Sequence, residues 1–249
     1  MKLDTQLFLR KAFWAVFATS LGVLCLSAVN QKQNMMLKGI TVDLSGPDGD
    51  VYFMTPADIE REITKVIGPL TKHTVGEVSC DVIEEVLSRN PFIEKADVYV
   101  SGNAKLTAQI TQREPVLRVI SGGQNFYLDG KGVRMPVSRN HTARVHVLTG
   151  PMATAYAKDV LELVLQIRKD KFMDAFIEQL DYVSRNEIVL IPKVGHTQIL
   201  FGAPDRIPEK FENIKAFYSE VIAQTGWDRY STIDLRFRDQ IICKKNPTS

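Results

Sequence analysis

The chain has 249 residues, 45% of them hydrophobic and 24% charged, with a formal net charge of +2. Residues 1–32 hold four of the Lys/Arg and one acid, so the rest of the chain carries 27 bases against 28 acids. That near-neutral body argues against a nucleic-acid partner and against an electrostatic membrane-binding face, and three cysteines are too few for a disulfide scaffold.

The first element is an 18-residue run without a charged side chain, Ala12–Val29. As a helix it spans roughly 27 Å, close to the thickness of a bilayer's hydrocarbon core. Its apolar and small residues, among them Ala12, Phe13, Trp14, Leu21, Gly22, Leu24, Leu26 and Val29, make it a candidate membrane anchor. Lys2, Arg10 and Lys11 precede the run, which predicts a cytoplasmic N-terminus and an exported body. A cleaved signal peptide has a shorter apolar core and a clearer small-x-small site. Ala18 and Gly22 form the small-residue pair available for helix packing.

A polar stretch to Lys38 leads into alternating Ile40, Val42 and Leu44, a half-buried strand, which Gly46-Pro47-Asp48-Gly49 ends. Thr55-Pro56-Ala57-Asp58 reads as a helix start with Thr55 as the N-cap, and Ile59, Ile63, Val66 and Ile67 supply one apolar face. A second helix is expected from Ser79 to Arg89, stopped by Pro91. Ala96, Val98 and Val100, a Ser101-Gly102-Asn103 turn, then Leu106, Ala108 and Ile110 read as a hairpin. The order is β-α-α-β-β.

Beyond Val116, strands are expected at Phe126–Leu128, Val145–Leu148, Glu187–Ile191 and Gln198–Phe201. Helices are expected over Ala157–Leu165, over Phe172–Leu180, and from Pro208 through Phe211, Ile214, Phe217 or Tyr218, and Val221. Ile233, Leu235 and Phe237 alternate with Asp234, Arg236 and Arg238, and an Asp239-Gln240 turn leads to a last strand, Ile241–Lys244. The fold class is α+β: a transmembrane helix, a three-stranded unit with two helices, and a mixed β domain with flanking helices. The division is 1–11 tail, 12–29 membrane helix, 30–38 linker, 39–115, 116–245 and a short 246–249 tail.

Three stretches carry a resemblance to the bacterial cell-division family FtsQ/DivIB. Leu87–Val98 is similar to the family's L-x-x-x-P-x-V-x-x-A-x-V, Leu106–Val116 to its passage between domains, and Ile233-Asp234-Leu235-Arg236-Phe237 to its V-D-L-R-Y. The resemblance implies a POTRA domain followed by a β domain, and a non-catalytic role in the division machinery. It also implies that the C-terminal edge pairs with another single-pass division protein, FtsB, complexed with FtsL. The corresponding positions are Gln240, Ile241, Ile242, Cys243 and Lys244, with Arg236 and Arg238 beside them. Contacts of the POTRA domain are implied around Pro91–Val100.

No P-loop, nucleophile elbow or dinucleotide fingerprint is present, and His73, His141, His146 and His196 lack metal-ligand company in the sequence. No cofactor, metal or small-molecule substrate is therefore expected. Glu84-Glu85 reads as solvated helix charge. Two other classes stay open: an anchored envelope enzyme, which needs a cleft with paired carboxylates or a histidine-centred site, and a POTRA-type factor for outer-membrane protein assembly.

Overall fold

A computed structural model describes residues 2–46, 53–151, 153–238 and 240–247. Pro47–Gly49 and Asp239, which belong to expected turns, lie outside the described residues. The chain divides into two units, residues 1–45 with 54–112, and residues 46–53 with 113–249.

The first unit opens with helix α1 (Lys2–Gln33), longer at both ends than its apolar run. Within it, Phe13–Gln33 is long and apolar enough to cross a membrane and has none of its apolar window buried against protein. The Thr19 hydroxyl donates to the carbonyls of Ala15 and Val16, so this polar group is satisfied inside the helix. The chain leaving α1 is pinned to the body: Val75 N–H donates to Met35 O at 2.8 Å, Leu37 N–H to His73 O at 3.1 Å, and Lys38 N–H to Ala104 O at 2.9 Å.

There follow β1 (Gly39–Ser45), α2 (Pro56–Ile67), two 3-10 turns at Leu70–Lys72 and Val75–Glu77, α3 (Cys80–Ser88), β2 (Ile93–Val100) and β3 (Lys105–Gln112). The expected β-α-α-β-β order is present. β3 is central, parallel to β1 and antiparallel to β2. Thr55 caps α2 through a capping box, its hydroxyl accepting from Asp58 N–H while the Asp58 carboxylate accepts from Thr55 N–H. Ile59 and Ile63 of α2 and Ile83 and Leu87 of α3 pack with Leu106, Ala108 and Ile110 in one core. Glu84 departs from the solvated-charge expectation: its carboxylate accepts Val98 N–H at 2.6 Å and so blunts the edge of β2.

Among the described residues of the second unit, nine strands form one mixed sheet. They are β4 (Pro115–Ser121), β5 (Gln124–Asp129), β6 (Arg134–Pro136), β7 (His146–Thr149), β8 (Ile177–Ser184), β9 (Glu187–Pro192), β10 (Gln198–Gly202), β11 (Tyr230–Asp234) and β12 (Ile242–Lys245). Their spatial order is β12-β11-β10-β9-β8-β7-β4-β5-β6. β7 runs parallel to β8, and β10 to β11. Parallel neighbours need a crossover, supplied by α4 (Ala153–Lys169) with α5 (Lys171–Phe176), and by α6 (Ile207–Ala216) with α7 (Ala223–Thr225). Val160, Leu163, Val164 and Ile167 of α4 fill the core against Leu117, Leu148 and Leu180.

Two expectations are corrected here. Phe172–Leu180 is not one helix: the helix ends at Phe176 and Ile177 begins β8. A dense apolar run fits either period, and pairing between β7 and β9 decides it. The choice between Phe217 and Tyr218 is dissolved by a π-helical stretch, Phe217–Ile222, whose wider turn buries both rings.

Candidate partner-binding edge

Of the two ends of the nine-stranded sheet, β6 is three residues long and ends in Pro136, a poor template for pairing. β12 is the other end. It pairs antiparallel with β11, Ile233 opposite Cys243 and Asp234 opposite Ile242, and no strand among the described residues lies beyond it.

The phase of β12 follows from two bonds. Ser231 Oγ donates to Lys244 O at 3.2 Å, and Asn246 N–H donates to Arg229 O at 3.1 Å. Residues 242, 244 and 246 therefore turn their main-chain groups inward to β11. Period-two alternation then turns the N–H and C=O of Ile241, Cys243 and Lys245 outward. The side chains alternate too. Ile241 and Cys243 are half-buried against the core, and that burial raises the Cys243 thiol pKa. Ile242 is 44% exposed on the opposite face, and Gln240, Lys244 and Lys245 are exposed. The edge thus offers main-chain hydrogen bonds and one exposed apolar side chain.

β11 is shorter than the alternation suggested. It stops at Asp234, and Ile233, Asp234 and Leu235 are all buried, so Asp234, Arg236 and Arg238 do not share one strand face. Arg236 instead curls back: its N–H and Nε donate to Asp234 Oδ1 at 3.0 and 2.9 Å, and Nη2 donates to Oδ2 at 2.7 Å. Arg206 Nη2 donates to Arg236 O at 3.3 Å. Arg236 crosses Gly202, where an added Cβ would stand 2.7 Å from Arg236 Cγ. Gly202, Ser231 and Asn246 are the members of this site that sequence reasoning missed, because nothing in the chain order pairs them with residues 234–245. Arg238 is exposed.

The Arg236 guanidinium holds the Asp234 carboxyl below the usual carboxylate range. A depressed carboxyl contributes stability that is present above its unfolded value, 3.8, and is lost as pH falls through the folded value. Arg236→Ala removes the two guanidinium bonds and leaves the Arg236 N–H. It should cost roughly 1 kcal/mol, modest because water reaches the guanidinium, and move the acid-unfolding limb to higher pH, read by circular dichroism.

The candidate anchor residues Phe13, Trp14, Leu21, Gly22, Leu24, Leu26 and Val29 are exposed on α1, and Ala12 lies in the same helix. Trp14 packs edge-on against Phe13 and Phe17, at centroid distances of 6.3 and 5.9 Å. A Cβ added at Gly22 would meet nothing within 4 Å.

An open cleft of about 510 Å³ in the second unit brings His146 together with Asp174, Glu178, Arg168 and Lys193. His146 is buried. Its Nε2 makes no hydrogen bond and stands 3.8 Å from Asp174 Oδ1. Desolvation lowers its pKa. No Ser, Thr or Cys is among the cleft's lining residues, and no group of three or more His, Cys, Asp or Glu side chains at metal-holding distances occurs among the described residues.

Comparisons with known proteins match this architecture. A POTRA-like domain model matches residues 38–111, and the model described as FtsQ/DivIB, C-terminal related matches residues 114–244. Three relatives bear the name Cell division protein FtsQ. That of Geotalea daltonii is 28% identical over 176 residues, covering 66% of this chain and 62% of that protein. That of Salinibacter ruber is 22% identical over 228 residues, 84% of each chain. That of Rhodothermus marinus is 25% identical over 177 residues, covering 66% of this chain and 64% of the relative. The matched part thus spans just under two thirds of the Geotalea and Rhodothermus proteins. With the C-terminal model covering more than half of its length behind a POTRA-like domain and an apolar helix, the chain belongs to the FtsQ/DivIB family.

Proposed function

We propose that this protein is a non-catalytic scaffold of bacterial cell division that captures a partner strand at β12. On this reading α1 spans the inner membrane, and the bases Lys2, Arg10 and Lys11 keep its N-terminus in the cytoplasm. The body then stands on the periplasmic side. The partner is another single-pass division protein of the FtsB/FtsL kind, adding an extended segment to the sheet. The observation that carries the reading is β12 itself, an outermost strand with outward main-chain groups at Ile241, Cys243 and Lys245 and an exposed Ile242. Strand addition draws affinity from those main-chain groups and specificity from the side chains between them.

The test replaces the central outward amide. Cys243→Pro removes a donor and places its ring where the incoming strand would lie, while Cys243→Ala keeps the amide and serves as the side-chain control. In full-length protein purified from membranes, Cys243→Pro should retain less than about a tenth of the bound single-pass protein that Cys243→Ala retains, consistent with losing at least one main-chain hydrogen bond and its neighbours. Undiminished capture by a folded Cys243→Pro protein would sink the proposal.

A further inference from the structure

The near-neutral composition of the body conceals an arrangement. Chain direction alternates through the first unit, so every element has one end at the pole where α1 enters. β1 and β3 start there, at Gly39 and Lys105; α2 ends there, at Ile67; α3 starts there, at Cys80; and the two 3-10 turns lie between α2 and α3. Between Lys38 and Gln112 the described chain holds seven Lys/Arg and ten Asp/Glu. Four of those bases, Lys38, Lys65, Lys72 and Lys105, belong to this pole, and only two of the acids do, Glu77 and Asp81. The Glu77 carboxylate is engaged by Thr74 N–H at 2.8 Å. All four lysines are exposed. Lys32, in the last turn of α1, is exposed as well.

The pole has a fixed height above the apolar run. Val29 closes that run, and four residues of helix, about 6 Å of rise, bring α1 to Gln33. There it meets the second 3-10 turn: a Cβ on Gly76 would stand 3.2 Å from Gln33 Cβ. Met36 bridges to Thr74 in the next step of the chain and is 48% exposed. The headgroup layer on one side of a bilayer is about 5–8 Å deep. Turn and lysines therefore stand at headgroup level whenever α1 spans the membrane.

We propose that this basic pole of the POTRA-like unit rests on the membrane surface and takes anionic phospholipid headgroups as its ligand, with Met36 entering the interfacial layer. The partner is the lipid surface because the lysines share one pole with the membrane helix and are joined to it without slack. Attraction of each lysine to an anionic surface decays within a Debye length, so the contact is sensitive to salt. The inference rests on the reading of α1 as a membrane span, and its test separates the two.

The full chain is reconstituted into vesicles of phosphatidylcholine alone or with phosphatidylglycerol, and amide hydrogen exchange is followed at residues 35–38, 70–77 and 101–105. Exchange should slow about tenfold in the anionic vesicles at low salt and recover at high salt. The combined variant Lys38→Gln, Lys65→Gln, Lys72→Gln, Lys105→Gln should lose that difference while exchange in the Ile59–Ile63 core stays unchanged. Equal exchange in both vesicle types, with the chain resistant to alkaline extraction, would overturn the proposal and leave the anchor intact. Extraction of the chain from both vesicle types would overturn the anchor, and the lipid contact with it.

Discussion

Gly150→Ala should destabilise the second unit by about 4 kcal/mol or more, enough to leave many domains unfolded at physiological temperature. Gly150 follows β7 with φ +114, a region that L side chains rarely adopt, and such strain alone costs about 1–3 kcal/mol. The larger part is steric. A Cβ there would stand 2.2 Å from Tyr182 O and 2.8 Å from Tyr182 C. Both are backbone atoms of β8, which is held by β7 on one side and β9 on the other, so no side chain can rotate away. The Gly150 carbonyl also accepts the Ser121 hydroxyl and thereby ties β4 to the same corner. Gly226→Ala is the control: φ is +83, but an added Cβ meets nothing within 4 Å, so only the conformational cost of about 1–3 kcal/mol remains. Urea melts of the two variants measure the difference, and equal midpoints would show that the contact with Tyr182 relaxes freely.

Phe201→Ala should cost about 4 kcal/mol. Phe201 is fully buried on β10, with the Phe211 ring at a centroid distance of 6.2 Å. It also carries a cation. Lys210 Nζ lies 4.5 Å from the Phe201 centroid, 2.8 Å from Ala203 O and 2.7 Å from Asp205 Oδ1, and the Lys210 side chain is almost wholly buried. Losing the ring opens a cavity and removes one of the three groups that compensate a desolvated ammonium. Phe201→Leu separates these effects. It restores most of the apolar volume but not the ring face, so its cost should fall to about 1–2 kcal/mol. A denaturant series on both variants checks this, and a Leu variant as damaged as the Ala variant would make the ring face the dominant contribution.

What the sequence disclosed depended on the range of the interactions involved. The β-α-α-β-β order was legible because each element bears its own period and its own stop, such as Thr55-Pro56 before α2 and Pro91 after α3. β12 was legible as an apolar, β-prone last strand, though displaced by one residue. Features made by contacts between distant segments were not legible. Arg236 looked like one rung of a charged strand face, but Gly202 leaves it room to fold over and Asp234 holds it there. Lys210 carries no local signal of burial, yet Asp205, Ala203 and Phe201 make its burial tolerable. His146 likewise gave no sign of the neighbours that bury it.

The placement of β1 beside β3 has a consequence in time. β1 leads its sheet, but its pairing partner arrives about as late as the unit allows: Ser45 meets Thr111, 66 positions onward. A ribosome adding roughly 5–20 residues per second needs several seconds to make that span. For that interval Ile40, Val42 and Leu44 belong to a strand without its one neighbour, β3, the condition in which β-prone segments recruit wrong partners. The helices can form as soon as they are made, but the sheet closes only in one late, long-range step. β3 therefore sets the clock for the whole POTRA-like unit, and a chain halted before it holds two helices and two open strands, β1 and β2, without a sheet to pack on.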